Sequence, residues 1–181
     1  EVQTYNGKLI KTRISAAIVN KLKHQANEEG VTLFISLLTV VKVLLHRYTN
    51  AEDIIIGSPI ANREHADLEN QIGFYLNTLA LRTQFKSTYT FKELLQKVKQ
   101  NTLEAFKHQT YPFDELINDL NIRKDMSRSA LFDVMVVLQN ATSNNLIQNK
   151  EYEVDGLHIS NSYELDYEIS KFDLSFNFVE I

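Results

Sequence analysis

The stretch from Val31 to Val41 is the most apolar in the chain, and it constrains the fold more than any other feature. Thr32 has a hydroxyl that can accept a bond from a free N–H in a first helical turn, so the spacing predicts a helix from Thr32 to about Tyr48. That helix is apolar nearly all round. It must therefore be covered on every side, which places it at the centre of a core. Lys42 follows the run, which is too short to span a bilayer. A chain of 181 residues is one domain, or one lobe of a larger one, built around such a core.

The remaining patterns say what covers that helix. Ile14 to Glu29 reads as a helix, with Ser15 near its start and Gly30 as its stop. Ile54 to Ile56 is a β-branched run ending at Gly57, the mark of a short buried strand. A polar loop is expected from Gly57 through Asn62 and Arg63 to Glu69. Leu79, Leu81 and Phe85 share one face of a second strand. Thr90 and Glu93 form a capping box, and Phe91, Leu94, Leu95, Val98, Thr102 and Phe106 follow at helical spacing. Pro112 suits the first turn of a short helix. Leu131 to Gln139 is strand-like, and Asn140 to Glu151 is polar and irregular. Phe172, Leu174, Phe176 and Phe178 alternate with polar residues, as in a half-buried strand. The fold class is α/β, a mixed β-sheet covered by α-helices.

Composition excludes several functions. The formal charge of -4 comes with no basic stripe to meet phosphates, so no nucleic-acid partner is expected. The absence of cysteine removes disulfides, thiol nucleophiles and thiolate metal sites, and it fits a cytoplasmic protein. The first residues, Glu1 to Tyr5, have no basic start and no apolar run. They read as a cut inside a longer chain, not a signal peptide, and no membrane association is expected. No glycine-rich phosphate loop, zinc-binding helix motif or nucleophile elbow occurs. His24, His46, His65, His108 and His158 are scattered without ligand spacing, so no metal is expected. Glu28 and Glu29 fit a solvated helix face. The Asn140-Ala141-Thr142 sequon is best read as chance, given the missing secretory signal.

Three clusters occur in a fixed order. They are Gln71 to Arg82 (QIGFYLNTLALR), His108 to Asp114 (HQTYPFD) and Arg123 to Phe132 (RKDMSRSALF). Together they resemble the last three signature motifs of the condensation domain of nonribosomal peptide synthetases. Ile56 to Arg63, Thr32 to Phe34 and Lys171 to Leu174 resemble further segments of it, so the likeness runs from about Gly7 to the end. The resemblance implies a chloramphenicol acetyltransferase-like fold, in which two related lobes form a V around a tunnel that admits one phosphopantetheine arm from each side. This chain, residues 1–181, resembles the second, C-terminal lobe. The family's catalytic motif, His-His-x-x-x-Asp-Gly, lies upstream of these clusters. No adjacent histidines occur here, and Asp155-Gly156 is not preceded by a pair. The resemblance implies amide formation between carrier-bound acyl groups in an intact enzyme, with this lobe supplying tunnel wall and being inactive alone. It implies no cofactor bound directly, only the phosphopantetheine arms of partner carriers. The implied partners are the N-terminal lobe, peptidyl carrier proteins and an adjacent adenylation domain.

The resemblance also selects residues, each with a plainer alternative. Asn77 faces the tunnel or caps a turn. Gln139 and Asn140 point into the tunnel or close a strand. Arg128 pairs with a local carboxylate such as Asp125 or reaches the other lobe. Gly73 permits close backbone approach or breaks a strand. His108 and Gln109 sit at a helix end, ahead of Pro112 and Phe113. Asn62 and Arg63 contact the other lobe or are solvated, and the loop from Ser58 to Glu69 is expected to bridge toward that lobe. Phe74, Tyr75 and Phe113 are expected in the core.

Thr110 stands where the family usually has an acidic residue, and Ser129-Ala130 where it usually has Asn-Pro. These departures leave the condensation, epimerisation or heterocyclisation subtype open. The alternatives are a lobe of an ester-forming or coenzyme A-dependent acyltransferase and a noncatalytic docking module for carrier proteins. One lobe with its partner surface bare is expected to self-associate near Asn77 and Gln139.

Overall fold

The computed structural model describes residues 4–63, 65–68, 70–122, 125, 127–139, 152–154, 156–159 and 168–180. Among the described residues there are four α-helices: α1 (Ala16–Glu28), α2 (Leu33–Thr49), α3 (Phe91–Lys107) and α4 (Phe113–Asp119). Six strands accompany them: β1 (Asp53–Ile60), β2 (Asn77–Gln84), β3 (Val134–Gln139), β4 (Tyr152–Val154), β5 (Leu157–Ile159) and β6 (Leu174–Val179). The main sheet has the order β2-β1-β3-β6 and is mixed. β1 runs antiparallel to β2, with Asp53 opposite Gln84 and Ile60 opposite Asn77. β3 runs parallel to β1 and to β6. β4 and β5 form a separate antiparallel hairpin.

α2 is the central helix that its apolar sequence requires. Ile35, Leu38, Thr39 and Val41 are buried, and the Thr32 hydroxyl accepts a bond from the Ile35 N–H (3.2 Å). Asn50, with φ +56, ends the helix in the left-handed region, and its N–H donates to the His46 carbonyl (2.7 Å). Gly30, with φ +61, does the same for α1. Ser15 occupies the α1 N-cap position, but its side chain makes no capping bond. The Thr90–Glu93 capping box of α3 is complete: Glu93 N–H donates to the Thr90 hydroxyl (3.3 Å) and Thr90 N–H to the Glu93 carboxylate (2.7 Å). Leu94, Leu95, Val98 and Thr102 turn inward, as their spacing predicts. Ile54, Ile56, Leu79, Leu81 and Phe85 complete this core from the sheet side.

Three expectations are corrected. β1 does not stop at Gly57 but continues through Ser58 and Pro59 to Ile60, because β2 pairs with it along that whole length. The expected loop from Ser58 therefore begins three residues later. Gly57 is needed within the strand because a Cβ there would lie 2.1 Å from the Phe132 ring. Pro112 is the N-cap of α4, not part of its first turn: its ψ of 137° is extended, and its carbonyl accepts a bond from Leu116 (3.1 Å). Phe74 is 86% exposed, not core. The polar stretch expected from Asn140 to Glu151 lies outside the described residues.

Candidate functional site

Asn77, the first residue of β2, ties the first sequence cluster to the second. Its side-chain N–H₂ donates to the carbonyls of Gln109 (2.7 Å) and Tyr111 (2.8 Å). Its side-chain oxygen accepts from the Phe113 N–H (3.2 Å). One amide thus holds the chain leaving α3 and caps the first N–H of α4, where Pro112 has no side chain able to do so. Of the two readings of Asn77, the turn-holding one describes its bonds. His108 is the C-cap of α3, and the bond closing the helix comes from its backbone N–H to Ala105 (3.1 Å). Tyr111 reaches onward to donate to the Asp119 carboxylate, a bond that holds its phenol above the usual range.

Next to this turn lies an open cleft of about 390 Å³. Thr78, adjacent to Asn77, lines it together with Phe113, Arg128, Phe132, Lys171 and Phe172. Phe132 is its floor. It is 5% exposed, seats on Gly57, and lies 5.5 Å from both the Phe113 and the Phe172 rings. Arg128 stands at the rim, with its guanidinium on the Asp133 carboxylate. The local carboxylate is therefore Asp133, not Asp125. That pairing, first, holds the Arg128 pKa above its usual value. Asp125 instead accepts from the Ser127 N–H (2.9 Å) and hydroxyl (2.7 Å), which lowers its carboxyl pKa.

Gln139 is the exposed last residue of β3. Extending the Gly57–Met135 register places it at the same end of the sheet as Asn77, two strand spacings or roughly 10 Å away. Asn140, Arg123, Lys124 and Met126 lie outside the described residues. The structure thus brings Phe113 and Arg128 to one cleft and Asn77 behind its wall, with Gln139 beyond the lining.

The loop after β1 is braced by Arg63. Its guanidinium donates to the carbonyls of Leu68, Gln71 (2.9 Å) and Gly73 (3.4 Å) and stacks 4.2 Å from the Tyr75 ring centroid. Tyr75 in turn donates to the Gln71 side-chain oxygen (2.8 Å). A Cβ on Gly73 would lie 2.8 Å from the Tyr75 ring, so this glycine permits close approach. Asn62 turns the chain with φ +44. The braced loop presents Ile72, Phe74 and Leu76 to solvent. Among the described residues, no group of His, Asp or Glu side chains is placed to hold a metal, and no single helix is long and apolar enough to cross a membrane.

The Asn77 bonds and the Phe132 floor are not legible in the sequence. Asn77 and its partners are separated by 32 to 36 residues, and no local periodicity reports such a contact.

Comparison with known proteins places this architecture. The condensation domain family matches residues 1–181. Tyrocidine synthase 3 of Brevibacillus parabrevis is 46% identical over 97% of this chain, which corresponds to 3% of that protein. The chain spans between 2% and 7% of the length of the curated synthetases it matches. A crystal structure of a four-domain nonribosomal peptide synthetase with AMP and glycine superposes with a TM-score of 0.87 at 21% identity, covering 99% of this chain and 14% of that one. The X-domain from teicoplanin biosynthesis gives the same TM-score and identity over 99% of this chain and 39% of that one. At 21% identity, the two structures speak for a shared fold. The sequence match across every residue carries the assignment further: this chain belongs to the condensation domain family of nonribosomal peptide synthetases.

Proposed function

We propose that this chain is the C-terminal lobe of a condensation domain that joins two carrier-bound groups through an amide bond. Coverage is the observation that carries this reading. The family accounts for the whole chain, yet the chain corresponds to 39% of one solved domain of the same fold. The sequence also contains no adjacent histidines. In this reading the catalytic histidine comes from the N-terminal lobe. Its imidazole orients or deprotonates the acceptor amine, a task suited to a group titrating near neutrality. The amine nitrogen attacks the donor thioester carbonyl, the new C–N bond forms, and the C–S bond breaks. The donor arm leaves as a thiol, taking up the proton the amine has lost. Holding both tethered arms in line supplies much of the rate.

This lobe contributes wall. Phe113, Phe132 and Phe172 offer a dry aromatic surface beside Thr78, and Asn77 fixes the turn from which Phe113 projects. The rim guanidinium of Arg128 suits a phosphate-bearing arm. The partners in this reading are the N-terminal lobe, donor and acceptor peptidyl carrier proteins and an adjacent adenylation domain, in a cytoplasmic assembly line for a peptide secondary metabolite. The test supplies loaded donor and acceptor carriers to this chain alone and to the chain joined to its N-terminal lobe. Dipeptidyl product is expected from the joined domain, with none above background from the chain alone. Product from the chain alone, or none from a folded joined domain with correctly loaded carriers, overturns the reading.

A further inference from the structure

Lys42 is fully buried in the middle of α2, among side chains that are otherwise apolar or small. Its Nζ donates to the Ile54 carbonyl of β1 (3.0 Å) and the Leu81 carbonyl of β2 (2.8 Å). It forms no ion pair with a described carboxylate. A neutral amine has two N–H donors, and two acceptors are present. An ammonium carries a third donor and a full charge into the core that holds Leu38, Val41, Ile56 and Leu81. We propose that Lys42 is an uncharged tie between α2 and the β1–β2 pair, and that taking up a proton loosens it.

Among the described residues, no charged group forms an ion pair with it. On β1, Asp53 is committed to Arg82 and Gln84 of β2, and the Arg82 guanidinium first of all holds its carboxyl below the usual range. On α2, the His46 ring faces the Ala51 carbonyl at 2.8 Å. From α3, Asn101 donates to the Arg82 carbonyl (2.9 Å) and Thr102 is buried, and neither titrates. Lys99 of α3 lies toward Gly30. Burial pushes the Lys42 amine down to about 7, with the Asp53 carboxylate acting in the opposite direction.

The direction of the pH effect follows from these values. The unfolded chain keeps this proton up to the ordinary lysine value of 10.5, whereas the folded chain gives it up near 7. Between those limits the unfolded state holds one more proton, so stability rises with pH. Below about 7 both states are protonated, and this group adds no further slope.

Urea unfolding of the full chain and of K42M tests the tie. Methionine keeps the length and apolar packing but cannot titrate. From about pH 7 to about pH 9, the unfolding constant of the wild type is expected to fall by about tenfold per pH unit relative to that of K42M. A ratio constant with pH overturns the proposal. A second measurement needs no variant: the lysine side-chain nitrogen resonances of the wild type, followed from about pH 6 to about pH 11. One signal is expected to lose its ammonium character about three pH units before the others. All lysines titrating together overturns the proposal.

Discussion

On the β1–β2 side of the sheet, Ile54, Ile56, Leu79, Leu81 and Thr83 are all buried beneath α2 and α3. On the β3–β6 side, Val136 is covered, Phe176 and Phe178 are half-buried, and Leu174 and Val179 are almost half exposed. β3 and β6 are the more apolar in sequence, with nine apolar residues of twelve against seven of sixteen in β1 and β2, so the difference in burial lies in what packs on them. The first is closed by a helix that is apolar nearly all round and by a capped amphipathic helix. Among the described residues, the second has the tilted rings of Phe113, Phe132 and Phe172 lining an open cleft. Stability is therefore expected to come mainly from the first side, leaving the second free to meet something else.

The sharpest way to break that comparison is to cut one apolar side chain from each. Leu38→Ala removes a fully buried leucine of α2 and is expected to cost about 2–5 kcal/mol. Phe178→Ala on β6 removes a larger side chain that is only half-buried, and it is expected to cost less than Leu38→Ala despite that size. Urea midpoints of the two variants decide the point. Equal losses erase the distinction between the sides.

Asn77→Ala probes the boundary between them. It removes a side chain that serves two carbonyls and one N–H, and the expected loss is about 1–3 kcal/mol. Asn77→Asp keeps the acceptor for Phe113 but places a carboxylate against two carbonyl oxygens, so it is expected to be at least as harmful. Faster exchange of the Phe113 amide, with Val98 unchanged in the core, identifies the turn as the part released. Unchanged Phe113 exchange shows that the turn stands without Asn77.

The sequence makes legible whatever is settled within a few residues. Thr32 and Thr90 were readable as caps because the acceptor and its N–H lie in one turn. Leu79 and Leu81 were readable as one strand face because the side-chain period is two. Gly57 misled for the same local reason: glycine after a β-branched run signals a stop, and only the Phe132 ring, 75 positions on, explains why the strand needs it. Lys42 looked like the end of an apolar run, because its two carbonyl partners are 12 and 39 residues away. Of the site, the family resemblance located the clusters, while the cleft that Phe113 and Arg128 share depends on contacts that no spacing encodes. Phe74 looked like core because it is aromatic. Its exposure follows from Arg63, which spends its donors on the carbonyls of this loop and holds Tyr75, not Phe74, inward.

That exposed loop supports the prediction with the smallest effect on folding and the clearest effect on association. Ile72 and Phe74 are 104% and 86% exposed beside Leu76 and the Asn77 turn. Replacing Ile72 and Phe74 with serine removes little buried surface, so stability is expected to change by less than about 0.5 kcal/mol. Association is another matter. A cluster of exposed apolar side chains on a braced loop favours contact between copies, so the wild type is expected to self-associate at high concentration. The double variant is expected to remain monomeric there. The net charge of -4 opposes the contact, but such repulsion is screened over about 8 Å at physiological ionic strength. Salt is therefore expected to strengthen wild-type association, because repulsion weakens while apolar burial does not. Sedimentation velocity across concentration and salt separates the terms. A strictly monomeric wild type sinks the prediction, and association that persists in the double variant moves the contact to the β3–β6 side, near Gln139.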